Sequence, residues 1–167
     1  MTVPSESPLS AANLPAGAVR DGIHVYPLRV YFEDTDAGGI VYYANYLRFA
    51  ERARTEMLRC LGYPHGEMMA RDGLAFAVQR CEIEYVRPAH LDDALEVHSG
   101  PVEIGAASLD LDQRVARGGE VIARLRVRLA CIAGSGRPAR LPSGLRGALR
   151  PVAAARADIA AASKEQV

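Results

Sequence analysis

Apolar residues recur along this chain with two periods, and the switches between them outline the predicted elements. Leu28, Val30 and Phe32 alternate with Arg29 and Tyr31, which predicts a half-buried strand. Residues 44–61 change to steps of three and four: Tyr46, Phe49, Ala50, Ala53, Met57 and Leu61 fall on one helical stripe. The polar side of that helix places Arg52 near Glu56 and Glu51 near Arg54, spacings that bring opposite charges together. Gly62 and Pro64 follow as stop signals. Beyond them the period returns to two. Phe76 and Val78 hold one parity and Cys81, Ile83 and Tyr85 the other, so a bulge is expected near Gln79–Arg80. A strand through Leu95 and Val97 runs to about Ile104, and the next is marked by Leu109, Leu111 and Val115. It ends at Gly118-Gly119, a hairpin signal. From Val121 to Cys131 the alternation is regular, with Arg124, Arg126 and Arg128 on the polar side. Strand, helix, then four strands with hairpin connections describe an α+β fold, an antiparallel five- to six-stranded sheet wrapped around one long central helix.

Both ends lack this patterning. Residues 1–22 are rich in Ser, Pro, Ala and Gly and read as a mobile leader. Residues 134–167 open with a Gly/Pro loop and continue into an Ala-rich stretch, a short helix started or broken at Pro151. The expected domain is therefore 23–133, followed by a flexible tail. The 167 residues carry 20 Lys+Arg and 20 Asp+Glu, a net charge of zero. That balance hides a division, because the tail holds six basic and two acidic residues and is +4, leaving the remainder at −4. Without a basic surplus, nucleic acid is not the expected partner. No run approaches the ~18 apolar residues of a membrane span, and the N-terminus has no signal-peptide pattern. Three scattered cysteines form neither a disulfide framework nor a metal spacing. A cytoplasmic protein is expected.

The densest chemistry lies in residues 31–46, YFEDTDAGGIVYYANY, between the first strand and the helix. Gly38 and Gly39 allow a tight turn and close approach of a ligand to the backbone. The residues that open the helix present unpaired N–H groups, which with the helix dipole favour a developing negative charge. A carboxylate just before them would complete an acyl-transfer site. Asp34 and Asp36 are equally the residues that cap helices and start turns. No second acidic cluster supports a metal, and His24, His65, His90 and His98 show no metal spacing. There is no G-x-S-x-G elbow.

The string from Tyr31 to Tyr46 resembles the motif of hotdog-fold acyl-CoA thioesterases, within the 4-hydroxybenzoyl-CoA thioesterase branch and its YbgC-type (Tol-Pal-associated) family. The similarity continues through LRFAERARTEMLRCLGY, through Ile83-Glu84-Tyr85-Val86-Arg87-Pro88-Ala89, and through Leu91-Asp92-Asp93, spanning about residues 25–133. The resemblance implies hydrolysis of an acyl- or aroyl-CoA without a cofactor. Asp36 matches the catalytic carboxylate, acting as nucleophile or general base. The backbone N–H at Tyr43 matches the group that polarises the thioester carbonyl, and Gly39, Ile40, Val41, Ala44 and Asn45 are the matching substrate-contact positions. Many YbgC-type members carry His where this chain has Tyr43, as the 4-hydroxybenzoyl-CoA enzyme does, which leaves the acyl preference open. The resemblance further implies a dimer or dimer of dimers with its site at the subunit interface, and peripheral association with inner-membrane lipid enzymes. A non-catalytic acyl-CoA-binding or adaptor protein of the same membrane-lipid or Tol-Pal context is the competing expectation. Arg124, Arg126, Arg128 and Arg87 are either a solvated or subunit-contacting face or a site for the phosphates of CoA.

Overall fold

The computed structural model describes residues 16–164 of the chain, and side chains as far as residue 153. Strands β1 (Ala18–Arg20), β2 (Ile23–Arg29), β3 (Leu74–Tyr85), β4 (Ala94–Ile104), β5 (Ser108–Arg117) and β6 (Glu120–Ala133) form one sheet, all neighbours antiparallel, in the order β1-β2-β4-β5-β6-β3. Helix α1 (Asn45–Cys60) is the helix that the apolar stripe predicts. Its Phe49, Ala50, Ala53 and Met57 are fully buried against Leu95 and Val97 of β4, Leu109, Leu111 and Val115 of β5, and Val127 and Cys131 of β6. Burying a side chain such as Phe49 contributes about 1.5–3 kcal/mol. The architecture is the expected α+β one, with six strands.

The predicted irregularities fall in place. Register between β3 and β6 shifts between Val78 and Arg80, so Gln79 is the extra residue of the bulge. Gly118 and Gly119 both take positive φ, 55° and 86°, as a two-residue hairpin turn with right-handed strand twist requires.

Four expectations change. Strand β2 stops at Arg29, and Phe32 is 82% exposed in a 3-10 turn, Phe32–Asp34, rather than continuing the alternation. The Asp34 carboxylate accepts the Tyr31 N–H at 2.9 Å and turns the chain there. Part of the expected leader is structured: β1 pairs with β2 through a turn in which Asp21 and Gly22 have φ of 48° and 70°. The remaining leader positions, 1–15, lie outside the described residues.

On the helix, Arg54 pairs with Glu51 as expected but is buried, donating to Gln113 Oε1 at 2.7 Å. Gln113 in turn donates to the Ala50 carbonyl and to Ser99 Oγ. Glu56 pairs with Arg59.

The boundary at 134 also moves. Past β6 the chain doubles back, Ala139 N–H bonding to the Cys131 carbonyl and Leu141 N–H to that of Ala106. It then enters α3 (Ser143–Lys164), which begins well before Pro151 and passes through it. Leu141, Leu145, Leu149 and Val152 are buried, so this part of the predicted flexible tail packs as core. Gly144 marks a close approach of α3 to Tyr63: a Cβ there would lie 2.0 Å from the Tyr63 hydroxyl, so a larger residue would require that ring to shift. A short helix α2 (His65–Asp72) fills the connection to β3, burying Met68. Among the described residues, no helix is long and apolar enough to cross a membrane.

His24 on β2 is fully buried, its Nε2 donating to the Ala16 carbonyl at 2.8 Å while Nδ1 has no partner among the described residues. Burial lowers its pKa below the ordinary 6.5, outweighing the Ala16 hydrogen bond and the charge of Glu56. Below 6.5 the unfolded chain therefore binds a proton that the folded chain refuses, and stability falls as pH drops. The melting temperature should decline from neutral pH to about 5.5. A His24→Gln variant should show a flatter profile, which thermal denaturation across that range would measure.

Candidate active site

The site is assembled from three segments. In the first, the two acids of Asp34-Thr35-Asp36 part company. Asp34 is 6% exposed. Besides Tyr31, it holds the loop through its main-chain oxygen, which accepts the Tyr42 N–H at 2.8 Å and Asn45 Nδ2 at 2.9 Å. Asp36 is exposed at the tip of a turn closed by Asp36 N–H to the Ile40 carbonyl, 2.9 Å, and Gly39 N–H to the Asp36 carbonyl, 3.0 Å. Gly39 has φ of +76°, where a side chain would be strained. The Asp36 Oδ1 atom accepts the Gly38 N–H at 2.8 Å, and a Cβ at Gly38 would sit 3.0 Å from that oxygen. Its Oδ2 atom has no hydrogen-bond partner among the described residues. One oxygen orients the carboxylate and the other is available for chemistry.

The second segment is the start of α1. Ala44 is its N-cap and contributes no side-chain hydrogen bond, and the first turn carries no acid. The Tyr43 and Ala44 N–H groups meet no acceptor among the described residues. Two donors thus point off a helix N-terminus, where the dipole favours negative charge.

The third segment runs from the end of β3 to Asp93. Val41 N–H bonds to the Ala89 carbonyl at 2.8 Å, Ala89 N–H bonds to Tyr46 Oη at 3.0 Å, and Ile40 bridges to His90. Tyr85 Oη donates to the Tyr43 carbonyl at 3.0 Å. The rings form a chain: Tyr42 to Tyr43 at 4.7 Å, Tyr43 to Tyr85 at 6.3 Å, and Tyr85 to Tyr46 at 5.6 Å between centroids. The Tyr43 hydroxyl holds the Tyr42 phenol above its ordinary pKa, and the Asp36 charge adds to this, so Tyr42 stays neutral at physiological pH. Asp93, one of the positions quoted for the motif, anchors the loop. Desolvation would raise its pKa, but the His90 N–H and the Arg117 guanidinium, 2.8 and 2.7 Å away, hold it lower.

Of the residues singled out in the sequence, Asp36, Gly39, Ile40 and Tyr43 are exposed around this turn and Ala44 is half-buried. Val41 and Asn45 differ. Val41 is packed in the core and the Asn45 side chain is committed to Asp34, so both support the loop from behind. In the sequence Tyr85 shows only as an alternating strand position within a matching motif, because its contact joins residues 42 positions apart.

A depression of about 680 Å³ shares no residue with this turn. It lies on the outer face of the sheet between Glu82, Glu84, His98, Asp112, Arg114, Arg124 and Arg126. Arg114 there lies 3.5 Å from His98 Nδ1, while the other two arginines face carboxylates, Arg124 with Glu84 at 3.3 Å and Arg126 with Asp112 at 3.0 Å. Outside the depression, Arg128 pairs with Asp110 at 3.7 Å and Arg87 with Glu120 at 2.9 Å. These four paired cations already face carboxylates, an arrangement suited to a solvated or contacting face rather than to binding phosphates. Desolvation raises the thiol pKa of Cys60, Cys81 and Cys131, which keeps them protonated and poor nucleophiles. No metal-binding group of His, Cys, Asp or Glu occurs among the described residues.

An antiparallel sheet enclosing one long helix is the architecture of the hotdog thioesterases. Residues 30–149 match the sequence model of the thioesterase-like superfamily, and the chain belongs to that superfamily. It is similar to the acyl-CoA thioesterase YbgC of Haemophilus influenzae, 40% identical over 124 residues that cover 74% of this chain and 91% of that protein. With the acyl-CoA thioester hydrolase YbgC of Escherichia coli O6:H1 it shares 48% identity over 90 residues, 54% of this chain and 66% of that protein. The crystal structure of a probable thioesterase from Bartonella henselae superposes with a TM-score of 0.70 at 35% identity, covering 72% of this chain and 99% of that one.

Proposed function

We propose that this protein is an acyl-CoA thioesterase, with Asp36 as its reactive carboxylate and the N–H groups of Tyr43 and Ala44 as its oxyanion donors. The observation that carries this reading is the pairing of an oriented, half-free carboxylate with an open helix N-terminus in a chain of this family. A thioester is already activated, so these two features suffice. As the carbonyl carbon is attacked, its oxygen gains negative charge, which the two N–H groups and the helix dipole stabilise. Asp36 Oδ2 serves as the attacking atom or takes the proton from an attacking water. The C–S bond then breaks and CoA leaves as the thiolate, which takes up a proton. Where water attacks, its oxygen passes directly into the free carboxylic acid and Asp36 returns the proton. Where Oδ2 attacks, the acyl group passes to Asp36 as a mixed anhydride, which a water then hydrolyses to the acid and the regenerated carboxylate. The tyrosines beside the turn offer an apolar, aromatic wall to the acyl part.

The working unit is a homo-oligomer. Phe32, Tyr43, Leu47, Val86 and Leu91 leave apolar surface exposed around the turn, a surface that a second copy would cover. Three free cysteines fit a reducing compartment, the cytoplasm.

Thiol release across a panel of short-chain, long-chain and aromatic acyl-CoAs tests the proposal, and hydrolysis of at least one member well above background is expected. Saturable binding of CoA esters with no thiol release would instead favour the non-catalytic binding protein. Light scattering on the same preparation reads the number of copies, and a fully active monomer would refute the oligomer.

A further inference from the structure

We infer that Tyr85 is a positioning residue for the oxyanion donors at the start of α1; this rests on the thioesterase reading above. The local problem is the orientation of the peptide that enters the helix. Asn45 and Tyr46 tie the first turn to Asp34 and Ala89, but Ala44 caps α1 without a side-chain hydrogen bond, the usual means of fixing the entry. The two proposed oxyanion N–H groups belong to Tyr43, just before the cap, and to the cap residue Ala44 itself, and a donor that wanders loses most of its value.

Tyr85 supplies the missing restraint from the sheet. Its hydroxyl donates to the Tyr43 carbonyl at 3.0 Å, across a gap of 42 residues. That carbonyl belongs to the same rigid peptide unit as the Ala44 N–H. In a planar trans peptide the C=O and the N–H point in opposite directions. Holding the oxygen toward β3 therefore aims the Ala44 N–H away from it, off the helix end. Donation to the C=O also polarises the N–H of the same unit and strengthens it as a donor. The ring adds a second restraint, standing edge-on to Tyr43 at 6.3 Å and to Tyr46 at 5.6 Å. Tyr46 is itself buried and bonded to Ala89 N–H, so the clamp has a fixed base. The hydroxyl thus sets the peptide plane while the ring sets the helix against the strand.

The two contributions separate by substitution. Tyr85→Phe keeps the ring and removes only the hydroxyl. On the best substrate of the panel its kcat should fall roughly tenfold, the loss of one well-placed hydrogen bond. KM should stay within about twofold, because a donor that matters mainly to the charged transition state leaves ground-state binding alone. Binding of an unreactive CoA thioether, which lacks the carbonyl, should be unchanged, and so should the melting temperature. Tyr85→Leu should lose more activity, since the ring contacts go too. A Tyr85→Phe enzyme with wild-type kcat would overturn the positioning role, as would equal losses in kcat and in thioether binding. If wild type hydrolyses no acyl-CoA, the thioesterase reading itself fails, whereas a wild type whose activity is lost in Asp36→Asn but kept in Tyr85→Phe refutes only the role of Tyr85.

Discussion

Asp36→Asn should lower kcat/KM for acyl-CoA hydrolysis by at least about a hundredfold, the range for loss of a positioned base or nucleophile. The substitution suits the geometry. An amide oxygen still accepts the Gly38 N–H, so the turn from Asp36 to Ile40 keeps its shape. What disappears is the negative charge and the lone pair on the atom that has no internal partner. Because position 36 is exposed, stability should change by no more than about 0.5 kcal/mol. The measurement pairs steady-state thiol release with a thermal melt and a light-scattering mass. An inactive variant with an unchanged melt and mass is the expected result. Undiminished turnover would remove Asp36 from the mechanism and leave the helix end as a binding feature without a catalytic group beside it.

The second large effect is on folding. Leu149→Ala in α3 should cost about 2–5 kcal/mol, the range for truncating a fully buried leucine. In a domain of this size that is a drop of several degrees or more in melting temperature. Leu149 has no exposed surface, and it lies four residues from Leu145, which is equally buried. A detached appendage would make the same substitution silent. Urea or thermal denaturation of the purified variant decides between the two, with an unchanged midpoint counting against a docked α3.

The fold was legible where one face of an element is buried and the other is not. α1 and the Gly118-Gly119 hairpin between β5 and β6 lie in such elements, and their patterns are strong. The bulge at Gln79 was legible from the switch of parity alone, because β3 has no fully buried residue. The losses have local causes. Asp21-Gly22 is a hairpin signal in its own right, but the short strand β1 before it has exposed side chains and no alternation to read. α2 buries little besides Met68, too little for a periodic stripe. In α3 the stripe exists, Leu145, Leu149 and Val152, but the Gly/Pro-rich approach reads as a loop and Pro151 as the start or break of a short helix, which hides the turns before it.

The site divides in the same way. Its acids, glycines and tyrosines were visible as a cluster, and the motif singled out Asp36. Sequence could not say that Asp34 faces inward and Asp36 outward, because burial is decided by the turn that both residues help to make. For the same reason Val41 and Asn45 stood as contact positions beside Gly39 and Ile40, although their side chains hold the loop from behind.

The paired charges on the outer sheet face bear on how substrate arrives. Neighbouring strands are ~4.8 Å apart, so the acids and arginines matched across β3, β6 and β5 form a mosaic finer than the Debye length of about 8 Å at physiological ionic strength. Such a mosaic cancels its own far field. An approaching polyanion feels almost no pull from it until it is in contact, so under the proposed reading this face neither gathers CoA esters from a distance nor draws them away from the turn at Asp36. Encounter is then left to diffusion.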